Sequence, residues 1–167
     1  RIASGRLPRW SPAGHWLSFL DRQDRLILAP YQSPGAEARV LIPALETQGS
    51  DVFGVGEYLW SPDERFIFYY LLTTPESQAA GVYKRPIQGG ARELVYQPEV
   101  GKILSDLYLS AGGIHVNLPE TGKQVILHEG KATVLPEGSL DWRYAPDGSG
   151  RVIFQQGSVQ WEPLGEK

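Results

Sequence analysis

The chain is expected to be all-β, assembled from repeated four-stranded antiparallel sheets, and three observations lead there. A turn-and-strand motif recurs along its length. Runs rich in β-branched and aromatic residues follow each copy, with proline and glycine between them. Nowhere does a 3.6-residue apolar period persist for the ten to twelve residues that a helix requires.

The motif is an aromatic residue followed by a Ser-Pro-type turn. It reads "RWSPAG" at Arg9–Gly14, "LWSPDE" at Leu59–Glu64 and "RYAPDG" at Arg143–Gly148, so its repeat anchors are Trp10 with Pro12, Trp60 with Pro62, and Tyr144 with Pro146. A degenerate copy, "YLSAGGIHV", places Leu109 in the aromatic slot, and the anchors then recur after 50, 49 and 35 residues. Ser-Pro-Asp-Gly is type I turn chemistry: serine caps the first position, proline presets the second, and glycine relaxes the fourth. "APDG" obeys it best, whereas "SPDE" lacks the glycine and should close differently.

Second strands follow the turns as "HWLSFL" (15–20), "RFIFYYLL" (65–72), "IHVNL" (114–118) and "RVIFQQ" (151–156). Third strands begin at Arg25, Gly81, Lys123 and Ser158, and fourth strands at Ala38, Ala91 and Lys131. The fourth repeat ends at "SVQWEPLGEK", without an outer strand of its own. Approximate boundaries are 7–46, 57–99, 103–137 and 140–167, with residues 1–6 read as an outer strand able to complete the last repeat. A repeated four-stranded meander of roughly 40 residues is the sequence form of a β-propeller blade. One blade cannot bury both faces, so the aromatics at 10, 60 and 144 are expected to wedge between neighbours. About four blades make a single propeller domain or segment: a ring closed within the chain, part of a larger one, or one ring shared by two chains.

"WSPDE" and "YAPDG", each leading into a strand and then a tight hairpin, resemble the WSPDG repeat of TolB-like propellers, a relative of the WD-type repeat. The resemblance implies the propeller fold. It also implies a setting, because such repeats occur in periplasmic scaffold proteins, in the lid propellers of prolyl-oligopeptidase-type peptidases and in exported proteins. On that basis the chain is expected to be a non-catalytic protein–protein interaction scaffold, periplasmic or extracellular. The alternatives are the gating lid of a larger hydrolase or a binder of a small ligand or glycan. The partner would be another protein or a second propeller segment, including a second copy of the chain.

Composition narrows these classes. A formal charge of -3 and a pI near 5.6 give no basic footprint for nucleic acid or an anionic membrane. The apolar-leaning run at 66–74 falls far short of the ~20 residues of a membrane helix, so no direct membrane insertion is expected. With no cysteine there is no disulfide framework and no thiolate chemistry. The chain starts at Arg1 and has no methionine, which reads as a processed chain or an excised piece.

No catalytic, metal or cofactor site is expected. His15, His115 and His128 lack a second ligand at metal spacing, although His15 and His115 follow equivalent turns and read as neighbours of one rim. Asp21, Asp24, Asp63 and Asp147 occupy turn positions and are expected to cap them. No G-x-S-x-G elbow is present. The candidate partner-binding residues are Trp142 and Trp161, near the last rim, and Thr74 and Glu76 in the polar insertion at 71–81, which reads as a contact element or as slack.

Overall fold

The computed structural model describes residues 5–31, 37–44, 50–155 and 157–164. It falls into two compact units, Arg1–Gly101 and Lys102–Lys167.

The first unit contains two four-stranded antiparallel meanders. One runs β1 (Gly5–Trp10), β2 (Trp16–Asp21), β3 (Leu26–Pro30) and β4 (Arg39–Ile42), and the other β5 (Val52–Trp60), β6 (Phe66–Thr73), β7 (Val82–Pro86) and β8 (Glu93–Tyr96). Strand alternation sends Leu20, Leu26 and Leu28 to one face, where they join Tyr58, Trp60, Ile67 and Tyr69 of the second sheet in one core. Phe19, Ile27 and Ala29 form a small cluster of their own. The second unit holds β9 (Ser105–Ser110), β10 (Gly113–Leu118), β11 (Lys123–His128) and β12 (Lys131–Val134), then a three-stranded sheet of β13 (Trp142–Tyr144), β14 (Gly150–Gln155) and β15 (Ser158–Pro163). Its core includes Leu107, Val116, Val125 and Leu127.

The motif turns close as their chemistry requires. Gly14 N–H donates to Ser11 O at 2.9 Å, Glu64 N–H to Ser61 O at 3.0 Å and Gly148 N–H to Ala145 O at 3.0 Å. Gly14 and Gly148 sit at φ 77° and 76°, and Glu64 adopts the same left-handed conformation at φ 56°. The "SPDE" turn therefore keeps the geometry of its relatives at the expense of a strained glutamate. That glutamate is held in place, because its carboxylate accepts from the Ala13 N–H and pairs with His15 Nδ1 at 2.8 Å.

Two expectations are corrected. Gly5 and Arg6 pair with Asp21 and Leu20 of β2, so they open the first sheet and do not complete the last one; residues 1–4 lie outside the described residues. Trp10 is 53% exposed and does not wedge between the two sheets of its unit; its ring meets Tyr31 edge-on at 4.9 Å. Strand alternation explains this, because Trp10 pairs with Leu17, on the opposite face of β2 from Ser18 and Leu20, which the second sheet covers.

Candidate partner-binding site

Where one sheet meets the next within a unit, the later anchor reaches the same register position of the earlier sheet. Trp10 pairs with Leu17, and the following residue, Ser18, receives the indole N–H of Trp60 at 2.9 Å. Ser18 in turn donates to Arg9 O at 3.0 Å, so both of its hydrogen-bonding roles are filled. In the second unit Leu109 pairs with Ile114, and the following residue, His115, is covered by the ring of Tyr144 at 4.8 Å. One serine and one histidine thus do equivalent work.

His115 is fully buried and lies between two tyrosine rings, with Tyr108 stacked on its other side at 4.4 Å. Its Nε2 lies 2.8 Å from Ser110 Oγ and its Nδ1 3.4 Å from Gln124 Oε1. Gln124 Oε1 also accepts from Tyr108 OH at 3.0 Å, and Gln124 Nε2 donates to Trp142 O at 3.0 Å. An amide oxygen only accepts, so His115 carries its proton on Nδ1 and takes the Ser110 hydroxyl on Nε2. Burial, opposed by the Gln124 bond, pushes the imidazole down to about 4. Serine beside a neutral histidine has the outline of a nucleophile and its base. Here, however, Ser110 is buried and its oxygen already accepts the Gly112 N–H at 3.1 Å, so the pair locks a turn. The rim placement expected for both histidines is corrected for His115: only His15 is exposed.

The fourth sheet carries an exposed apolar face. Alternation along β15 puts Val159 and Trp161 on one side, next to Phe154, and these are 67%, 54% and 48% exposed. Ser158 and Gln160 point the other way and, with Asp141 and Gln155, line an open polar cleft of about 580 Å³. The Trp161 ring lies over Gly150, where a Cβ would come within 2.3 Å of it. A chain with an apolar face, a polar cleft and an exposed strand between them can offer backbone and side-chain contacts together.

The expected partner-binding residues fall in different settings. Trp161 is part of this surface. Trp142 is half-buried on β13, its ring covered by the Arg151 guanidinium at 3.7 Å and its carbonyl bound by Gln124. Thr74 and Glu76 lie in the first unit, Thr74 half-buried and Glu76 exposed. Their loop is not slack: Thr74 N–H donates to Asp51 O at 3.0 Å, Ser77 hydroxyl bonds the Asp51 carboxylate, and Gly101 N–H donates to Pro75 O at 2.9 Å. Sequence reasoning missed Phe154 and Val159, although the apolar alternation of the last hairpin marks both. It also missed the Ser110–His115–Gln124 chain, which registering each repeat on its anchor would have found.

No protein-family model and no curated protein matches the chain. Solved structures do. It resembles a prolyl endopeptidase over 92% of its own length and 25% of that chain, at 13% identity and a TM-score of 0.58. It resembles a Bacteroides uniformis protein assigned as a 6-phosphogluconolactonase over 96% and 44%, at 13% identity and 0.51. It also resembles the Cps50 (Swd1) β-propeller domain of Myceliophteria thermophila over 84% and 48%, at 12% identity and 0.51. The chain therefore spans less than half the length of each of these structures. The fold is that of a β-propeller, and its four antiparallel sheets are blades.

Proposed function

We propose that this chain is a non-catalytic β-propeller module that binds another protein through its fourth blade. The observation that carries the reading is the exposure of Phe154, Val159 and Trp161 together on one face of the β14–β15 hairpin, whose other face lines a polar cleft. Large aromatics flanked by polar groups are the usual anchors of protein interfaces. The repeat resemblance favours a scaffold role in the periplasm or outside the cell.

A second reading, the gating propeller of a prolyl-oligopeptidase-like hydrolase, draws on the prolyl endopeptidase likeness, which covers nearly all of this chain. Under that reading the partner surface would meet a catalytic domain, and the chain's own residues would still do no chemistry.

Site-specific photocrosslinking tests the proposal. A benzophenone side chain at position 161 should give a discrete adduct in extract of the source cells, and one at the exposed position of Leu72, in the first unit, should not. Equal adducts from both positions, or none from 161, would contradict it.

A further inference from the structure

Within each unit one blade meets the next, and the two joints use the same positions with different chemistry. Registered on the anchors Trp10 and Leu109, Leu7 of β1 corresponds to Asp106 of β9, and both adopt φ 52°. Two residues beyond Ser18 and His115 stand Leu20 and Asn117, which pair with Leu26 and Gln124 of the third strands. Three leucines of the first joint are thus an aspartate, an asparagine and a glutamine in the second.

In the first joint Leu20 and Leu26 join Tyr58, Trp60, Ile67 and Tyr69 in one core, with Leu7 packed against it. In the second the contacts are polar. Arg143 of β13 donates to the Asp106 carboxylate, Gln124 Nε2 to Trp142 O at 3.0 Å, and Gln124 N–H to Ser139 Oγ at 2.8 Å. The facing sheet, β13 to β15, adds no fully buried apolar side chain among its described residues. Asn117 is only 8% exposed, and its Oδ1 meets no donor among the described residues. Water can replace each of these bonds and can reach that oxygen, whereas parting the first joint would expose leucine and aromatic surface. The second joint is therefore the easier one to open.

His115 supplies a trigger, because its ring is shut inside this joint between Tyr108 and Tyr144. The titratable or charged groups on the strands packed around it are Asp106, Tyr108, His128, Arg143, Tyr144 and Arg151. Asp106 is engaged by Arg143 and Asn117, and Arg151 by Glu162, so the carboxylates of these strands are already paired. Asp141, which precedes β13, lines the outer cleft with Gln155 and Gln160. A charge on the buried imidazole is thus best stabilised by water.

We infer that the joint between the third and fourth blades is an acid-triggered opening: a proton taken up by His115 parts the two sheets and admits water between them, while each sheet stays folded. The inference is independent of what the fourth blade binds.

Two adjacent amides of the unmodified chain read it. Gln124 N–H crosses the joint to Ser139, while alternation along β11 turns Val125 N–H to Val116 within the third blade. Hydrogen exchange is followed on the ¹⁵N-labelled chain in low urea, with rates referred to those of unstructured peptide at each pH. Gln124 should exchange about tenfold or more faster than Val125 and respond less to urea, because opening the joint exposes less surface than melting the blade. Its protection should also fall about tenfold or more from pH 7 to pH 4.5, and in His115→Gln that fall should disappear. Equal rates and equal urea response at the two amides would overturn the inference, since the unit would then open only by melting whole. So would Gln124 protection that is constant between these pH values, or that falls equally in His115→Gln.

Discussion

Trp60 donates its indole N–H to the hydroxyl of Ser18, 2.9 Å away on the neighbouring sheet. Tyr144 covers His115 from the equivalent position one pair of sheets later. The sequence motif that repeats is therefore a joint between blades as well as a turn. At Trp60 and Tyr144 the aromatic residue ends the first strand of one blade and seats on the second strand of the blade before it.

Removing that joint should be costly. Trp60 is buried in the first core, and Trp60→Ala should lower the stability of the first unit by about 3 to 5 kcal/mol, read from urea unfolding. A loss below about 1 kcal/mol would place the ring outside a blade junction.

The second unit should weaken in acid. His115 is neutral in the fold, held to about 4 against 6.5 for a free imidazole, while in the unfolded chain it protonates near the free value. Between those pH values the unfolded state binds more protons. Stability is therefore complete above pH 6.5 and falls as the pH drops toward 4, by up to about 3 kcal/mol. The groups around the ring, Tyr108, Tyr144, Ser110 and Gln124, are uncharged in this range. Urea unfolding at pH 7 and pH 4.5 should show the loss, and His115→Gln should flatten the dependence. An equally steep dependence in that variant would assign it to other groups.

The degenerate third turn should be intolerant at one glycine and tolerant at its neighbour. Gly113 has φ 125°, and an added Cβ would lie 2.4 Å from the Leu127 carbonyl oxygen. Gly113→Ala should therefore cost about 2 to 3 kcal/mol. At Gly112 a Cβ meets only Ser110 Oγ at 3.5 Å, and Gly112→Ala should cost under about 1 kcal/mol. Similar thermal midpoints for the two variants would contradict the register of the β9–β10 hairpin.

Turn capping accounts for Asp63. The Ser61 hydroxyl donates to its carboxylate at 2.7 Å and Arg65 adds backbone and side-chain donors, which hold the carboxyl down to about 2. Carbon-detected NMR titration should find it still ionised at pH 3, and Ser61→Ala should raise its midpoint. Titration near pH 4 in the unaltered chain would show the turn to be open in solution.

The parts legible in the sequence were those set by local chemistry. Ser-Pro turns and alternating apolar runs located the strands, because backbone preference decides both within a few residues. Which face each anchor occupies was harder. Trp10 and Trp60 have the same local sequence, yet one is exposed and the other buried, because burial depends on the sheet lying opposite. His115 was misplaced for the same reason: its turn is shorter than that of His15, and counting from the turn instead of from the paired anchor sent it to the rim. Trp161 was legible as an exposed aromatic, but the apolar face it shares with Phe154 and Val159 emerged only from the pairing of β14 with β15.

The joint itself is most directly tested by a double-mutant cycle on Trp60→Phe and Ser18→Ala, measured by equilibrium urea unfolding. A blade junction held by this pair predicts a coupling of about 1 kcal/mol. Additive losses, within about 0.3 kcal/mol, would contradict it.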